Sequence, residues 1–209
     1  MSDLTRRDLL GRLAAVPLAS LLGVDVIERA AAAAERALAS QAATGQQFVP
    51  QFFTADEWRT VRVLVDIIIP RDTRSGSATD AGVPEFMDFT LTDRASMQPG
   101  MRNGLAWLDV ECRRRFQQPF ADCSTTQRNA VLDDIAWPAR ARPEIADGVR
   151  FFTMFRDMTA SGFWSSRIGV EDLQFMGNRV VPQWTGCSDA ALGKLGVSYE
   201  DWDRRYGGG

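Results

Sequence analysis

Hydrophobic residues recur at three- and four-residue spacing along most of the chain beyond residue 53, and this spacing is typical of amphipathic helices. No stretch alternates between apolar and polar residues as a half-buried strand does. The pattern therefore predicts a single compact all-α domain of about six to seven helices. The apolar stripes, in chain order, are Trp58, Val61, Leu64, Val65 and Ile68; Phe86, Phe89 and Leu91; Leu105, Leu108, Cys112 and Phe116; Val131, Leu132 and Ile135; and Ile145, Val149, Phe152, Phe155 and Met158.

Capping residues and prolines predict where several of these helices begin and end. Thr54-Ala-Asp-Glu57 and Ser124-Thr-Thr-Gln127 are capping boxes, in which the hydroxyl and the acid or amide side chain satisfy amides of the first turn. Pro70 ends the first helix and Pro84 lies in the first turn of the next. The longest helix of the domain is predicted from Glu144 to about Gly162.

The chain begins with a pattern typical of a twin-arginine export signal. Arg6 and Arg7 follow a polar residue, and Leu9 and Leu10 come after one spacer. The apolar stretch at 13–24 is shorter than the about 20 residues that an ordinary spanning helix needs. Because the twin-arginine route exports folded proteins, the predicted location is the periplasm. The alternative is an ordinary amphipathic N-terminal helix.

Small residues after the apolar stretch offer cleavage sites, namely an alanine run at 30–34 and the motif Ala37-Leu38-Ala39 before Ser40. A charged insert at 25–29 is unusual for a cleaved signal, so a retained membrane anchor remains open. We therefore divide the chain into a signal or anchor at 1–39, a polar linker at 40–53, the helical domain at 54–206 with an irregular aromatic C-terminal segment, and a disordered glycine tail at 207–209.

The composition excludes several kinds of site. The chain has no histidine, which excludes a histidine-based catalytic triad and zinc or haem sites that need histidine. It has no G-x-G-x-x-G after a strand, no G-x-S-x-G and no phosphate-binding loop. A formal net charge of −3 does not favour nucleic acid as a partner. We therefore expect neither a cofactor nor a metal in this chain, and we assign the cofactor to a partner.

The three cysteines are Cys112, Cys123 and Cys187, too widely spaced for a familiar metal or iron–sulfur cluster. Cys112 and Cys123 flank a predicted helix end and can form a disulfide in an oxidising compartment. One cysteine remains in any pairing, and Cys187, or another of the three, is a candidate for a covalent link to a partner chain. The alternative is that these cysteines are buried free thiols.

The segment from Phe163 to Trp184 is the best candidate for binding a partner. It is aromatic, interrupted by glycines and not periodic, and aromatic residues and methionine are favoured at interface centres. The alternative is that these side chains cap the helical core. The predicted interface residues are Phe163, Trp164, Ile168, Phe175, Met176 and Trp184.

Two carboxylates remain as candidates for an enzyme that acts alone. Asp66 lies within an apolar helix and either pairs with Arg71, caps a loop or acts in catalysis, and Asp88 is a further candidate. The sequence offers no obvious companion carboxylate for Asp66. We therefore predict no catalytic residue in this chain.

Several short segments, taken in order and spacing, resemble the gluconate 2-dehydrogenase subunit 3 family from about Phe53 to Gly186. They are Phe-Thr-Ala-Asp-Glu-Trp at 53–58, Val-Asp-Ile-Ile-Ile-Pro-Arg-Asp at 65–72, Ala-Gly-Val-Pro-Glu-Phe-Met-Asp at 81–88, Gly-Leu-Ala-Trp-Leu-Asp at 104–109, Phe-Phe at 151–152, Gly-Phe-Trp-Ser-Ser at 162–166 and Gly-Asn at 177–178.

The resemblance implies a small subunit that has no cofactor and no catalytic residue. It implies a large FAD-containing partner of the glucose–methanol–choline oxidoreductase type, which this chain binds and exports, with electrons passing to a cytochrome or another acceptor. The sequences at 165–169 and 171–178 are similar to those of one branch of the family. Members of this branch are paired with dehydrogenases that oxidise a ring hydroxyl of a glycoside, such as a glycoside 3-dehydrogenase. A membrane-anchored maturation factor is the alternative.

Overall fold

The computed structural model describes residues 18–175, 183 and 186–206, with side chains from Asp25 to Arg205 in these ranges. Several predictions lie outside the described residues. They concern the signal residues Arg6, Arg7, Leu9 and Leu10, the interface residues Met176 and Trp184, and the tail at 207–209.

Helices make up the fold, and the described ranges contain no strand. The all-α prediction is therefore confirmed. The helices are α1 (Leu18–Thr44), α2 (Ala55–Ile68), α3 (Val83–Asp93), α4 (Gln98–Phe116), α5 (Thr125–Ile135), α6 (Ala146–Trp164), α7 (Arg167–Asp172), α8 (Asp189–Leu195) and α9 (Tyr199–Tyr206). Short 3₁₀ turns precede α4, α5 and α6.

One compact unit extends to Phe175 and is built around α6, which contacts each of the helices α1 to α5 and also α7. Its core holds the fully buried side chains of Leu64, Leu108 and Phe155. These residues belong to three of the predicted apolar stripes, so the three- and four-residue periodicity correctly identified the buried faces.

Both predicted capping boxes are present. The Thr54 hydroxyl accepts from the Glu57 amide at 3.3 Å, and the Thr54 amide donates to the Glu57 carboxylate at 2.8 Å. Ser124 and Gln127 make the equivalent pair at 3.3 and 2.9 Å. The caps satisfy amides that have no partner within the helix, and they fix the starts of α2 and α5.

Two glycines let α4 and α6 approach closely. A Cβ added at Gly104 of α4 would lie 1.9 Å from Phe151 Cδ2, and one at Gly148 of α6 would lie 2.4 Å from the Trp107 ring. Each helix therefore contributes a glycine that receives an aromatic ring of the other. This reciprocal contact aligns α6 on α4 and sets the position of its C-terminal end.

The compact unit begins earlier in the chain than residue 54. Helix α1 runs to Thr44, through the first part of the predicted linker, and packs mainly on α3. Its side chains Val26, Ala30 and Ala34 are buried, and Phe52 lies in the core. The sequence pattern did not show this because alanines bury a helix face without forming a strong apolar stripe.

The segment interpreted as irregular is largely helical up to Asp172. Helix α6 continues to Trp164 because Thr159 and Gly162 are buried on its inner face, where the hydrophobic pattern alone does not mark them. A further helix, α7, follows at once, whereas the sequence placed a short helix at 171–176. No helix in the described part of the chain is long and apolar enough to cross a membrane.

A second unit spans 176–209 and contains α8 and α9. The Ser188 hydroxyl caps α8 by accepting from the Ala191 amide at 3.4 Å. Within this unit the Cys187 amide donates to the Tyr199 hydroxyl at 2.8 Å. This hydrogen bond joins the residues before α8 to the start of α9.

Candidate docking surface

The predicted interface residues divide between the core and the surface. Phe163 is 1% exposed and belongs to the core, and Ile168 packs against the core partly buried. Neither offers a free side chain to a partner in this conformation. Trp164 and Phe175, by contrast, are 41% and 63% exposed.

Leu173 joins the exposed pair, with 56% of its side chain accessible. We call Trp164, Leu173 and Phe175 the docking surface. Large apolar side chains exposed close together in the sequence are candidates for a protein-binding site, because water contact with them is unfavourable. Leu173 is not among the residues predicted from the sequence, although its place between Asp172 and Phe175 in the aromatic segment is a signal for it.

The polypeptide around the docking surface is firmly held. The Ser166 hydroxyl donates to the Phe163 carbonyl at 2.7 Å and accepts from the Gly169 amide at 3.1 Å, so it ends α6 and starts α7. A Cβ at Gly169 would lie 2.0 Å from the Phe163 carbonyl oxygen, so only glycine permits this close turn. The Trp164 ring stands edge-on to the Phe163 ring, and the two ring centroids are 4.9 Å apart.

An arginine from the loop before α3 holds the far end of α7. The Arg74 guanidinium pairs with the Asp172 carboxylate at 3.0 Å and donates to the Asp172 carbonyl at 2.8 Å. The Phe175 amide donates to the Val170 carbonyl at 3.1 Å. These contacts preorganise the backbone of the docking surface, which lowers the entropy lost when a partner binds.

Asp88 is fully buried and holds the segment that leads into α2. Its carboxylate accepts from the amides of Gln51, Phe52 and Phe53 at 2.8, 2.9 and 3.2 Å. Its oxygens are therefore engaged by the backbone. This arrangement gives Asp88 a structural role and provides no support for the catalytic role considered from the sequence.

Asp66 has a similar use. Its carboxylate accepts from the Thr79 amide at 2.7 Å and so caps the loop before α3. This contact matches the loop-capping alternative. Arg71, the other partner considered, pairs instead with Asp80 at 2.6 Å.

Glu85 is a buried acid of α3 with one unpartnered oxygen. It is 1% exposed, and its Oε1 accepts from the Gln41 side chain of α1 at 3.3 Å. Its Oε2 has no hydrogen-bond partner. Burial raises the pKa of Glu85, because the charged form loses its hydration.

The arginine run at the end of α4 is paired within the chain. Arg114 and Arg115 both donate to Glu111, and Arg115 also reaches Asp134 of α5 at 2.7 Å. Hydrogen bonds from Arg114, and then from Arg115, lower the pKa of Glu111 to about 2. Arg113 pairs with Asp109. The run therefore acts as helix-end charge and as a link between α4 and α5.

The cysteines are all free thiols in this structure. Cys112 and Cys123 are buried neighbours, and burial, with the Cys123 thiol adding to it, raises the pKa of Cys112 to about 12. A disulfide between them stays a prediction, as does a link from the exposed Cys187 to a partner. Among the side chains that the structure describes, no three histidine, cysteine or acidic residues come together as metal ligands.

A depression of about 410 Å³ lies between α1 and the first turn of α7. Leu38, Ala39 and Ala81 line its apolar part, and Ile168 and Arg167 form its α7 side. The partly buried Ile168 thus faces a recess and not open solvent.

Comparison with known proteins identifies the family of the chain. Neither a curated protein nor a solved structure matches it. The sequence pattern of one family, described as gluconate 2-dehydrogenase subunit 3, matches residues 55–182. These residues run from the first residue of α2 through α7 and include the docking surface. The chain therefore belongs to the gluconate 2-dehydrogenase subunit 3 family, whose members are small subunits of dehydrogenase complexes.

Proposed function

We propose that this chain is the non-catalytic small subunit that binds and co-exports a large FAD-dependent sugar or glycoside dehydrogenase. The family match over 55–182 is the observation that carries this proposal. The flavin and the catalytic groups belong to the large subunit, which folds around FAD in the cytoplasm. Both subunits then reach the periplasm through the twin-arginine signal of this chain, and electrons pass to a cytochrome or another acceptor.

The docking surface is the proposed contact with the large subunit. Trp164, Leu173 and Phe175 are apolar, exposed and held on a rigid backbone, and tryptophan is enriched among the residues that dominate binding energies. The structural roles of Asp66 and Asp88 favour an accessory subunit over an enzyme that acts alone.

Co-expression with the large flavoprotein tests the proposal. We expect the two chains to purify together from the periplasm, and the flavoprotein to stay in the cytoplasm when Arg6 and Arg7 are replaced by lysine. Lys in place of Arg keeps the charge, so loss of export would report the signal itself. Export and full activity of the flavoprotein without this chain would contradict the proposal. A flavoprotein that is exported but then purifies alone would favour a maturation factor.

A further inference from the structure

Helix α1 carries the cleavage motifs predicted for the export signal, and some residues of these motifs dock it on the domain. In the alanine run, Ala30 and Ala34 are 4% and 3% exposed, and Val26 one turn earlier is 9% exposed. Leu38, the centre of the motif before Ser40, lies 3.0 Å from the position that a Cβ on Gly82 would take. Burial of Ala30 and Ala34 and recognition of the alanine run by a peptidase therefore exclude each other. In the motif before Ser40, Leu38 is half-buried and Ala39 is exposed, so this motif is protected only as far as it stays helical.

Contacts with α3 follow α1 over much of its length. Arg29 pairs with Asp93 at 3.3 Å near one end, and Gln41 donates to the buried Glu85 at 3.3 Å near the other. Gly82 has a left-handed φ of 76°, which glycine adopts without strain, and Ala34 and Leu38 pack on it. Removing α1 would uncover Gly82 and leave Glu85 without its donor. The helix is thus part of the folded domain.

Proteases act on segments that open to an extended form, and a docked helix must first detach and unwind. The rate of cutting then depends on the small population of the opened form. If the chain is exported in the folded state, α1 is already docked when it meets a processing peptidase. This order of events rests on the export proposed above.

We propose that residues 25–44 of α1 stay in the mature protein, because the helix is docked on the folded domain and its small-x-small motifs are not open to the processing peptidase. The apolar stretch at 13–24 can be lost only through a cut before Asp25. The accessory subunit thus keeps its first helix as a structural element.

The intact mass of the exported chain tests this directly. The full-length chain, with a C-terminal affinity tag, is co-expressed with the flavoprotein and purified from the periplasmic and membrane fractions. We expect a mass that includes all residues from 25 to 44. A mass that corresponds to a chain beginning anywhere within the alanine run or at Ser40 would overturn the proposal.

Paired variants show whether docking is the cause of the protection. Ala34→Glu places a charge against Gly82, whereas Ala32→Glu places the same charge on the exposed side of α1. We expect cutting within α1 to become at least about tenfold faster in the first variant only, because more of its helix is open. The proposal would be overturned if both variants were cut at the same rate, or if neither variant were cut faster than the native chain.

A second measurement remains decisive if the chain is not exported. The purified full-length chain is incubated with signal peptidase in detergent micelles, and its mass is followed over time. Retention of α1 is expected for the native chain, and loss of α1 after denaturation in urea and dilution into the same assay. If the native chain is cut within α1 at the rate of the unfolded chain, the proposal fails, whatever the outcome for export.

Discussion

At the residue scale, Asp88 gathers backbone amides that would otherwise be buried without a partner. Three consecutive amides, from Gln51 to Phe53, donate to its two oxygens. A carboxyl side chain suits this position because its two oxygens can accept several hydrogen bonds. The contact explains why the chain before α2 is fixed although its sequence resembles a linker.

Asp88→Asn should lower the free energy of unfolding by about 3 kcal/mol, since one oxygen becomes an amide group that faces amide donors. Urea denaturation followed by circular dichroism measures the loss. Asp56→Asn is the matched control, because the Asp56 side chain is 93% exposed. It should cost less than about 1 kcal/mol. Similar losses in the two variants would mean that the Asp88 contacts contribute little.

Glu111 makes stability depend on pH in a defined window. Its pKa is lowered from 4.5 to about 2 by the arginines, so its contribution is complete above pH 4.5 and is lost as the pH falls through about 2. Glu111→Gln should remove up to about 3 kcal/mol of the fall in unfolding free energy between these pH values.

Urea denaturation at a series of pH values measures the slope of the unfolding free energy against pH. Asp133→Asn, a change at an exposed carboxylate on α5, is the control and should leave the slope nearly unchanged. An unaltered slope in Glu111→Gln would contradict the assigned role of the arginine pair.

At the scale of elements, the packing of α4 on α6 depends on glycine at two positions. Gly104→Ala should destabilise the domain by roughly 1–3 kcal/mol, because the new methyl group overlaps the Phe151 ring. Thermal unfolding measures the effect. Gly100→Ala, one turn earlier on the same helix, meets only Met154 at 3.6 Å and should stabilise the helix by about 0.5–1 kcal/mol. A lower melting temperature for both variants would argue against the overlap.

The sequence predicted α2 to α6 well, because periodicity and caps act locally within each helix. Thr54 and Ser124 marked two starts correctly. It did not predict that α1 is docked, since small residues such as Ala34 allow close packing without a strong apolar pattern. It also ended α6 early, because Gly162 continues the buried face without being hydrophobic itself.

At the scale of the whole molecule, binding to the large subunit should depend on the docking surface. The double variant Trp164→Ala and Phe175→Ala should weaken binding at least about 30-fold, the effect expected when residues that dominate an interface are removed. Calorimetric titration with the purified large subunit measures the dissociation constant.

Trp137→Ala is the matched control for this titration, because Trp137 is also exposed, at 61%, but lies in the turn after α5 and not in the segment that holds Trp164 and Phe175. It should bind as tightly as the unmodified chain. If the control weakens binding as much as the double variant, the interface lies elsewhere.

The candidate site was predictable only in part. The sequence identified the aromatic segment, and the structure left Trp164 and Phe175 exposed. It could not separate Phe163 from Trp164, because neighbouring residues on a helix point about 100° apart and both are aromatic. Which of them faces the core is decided by the packing of α6 on the other helices.

The three cysteines differ so much in environment that the chain supplies its own labelling site. Cys112 is buried with a pKa of about 12, so it has almost no reactive thiolate at neutral pH, and Cys123 is buried beside it. Cys187 is exposed in the second unit. A maleimide fluorophore should therefore add once per chain, which intact mass measures. The labelled chain, which needs no substitution of its cysteines, can then report by fluorescence how its C-terminal unit responds when the large subunit binds.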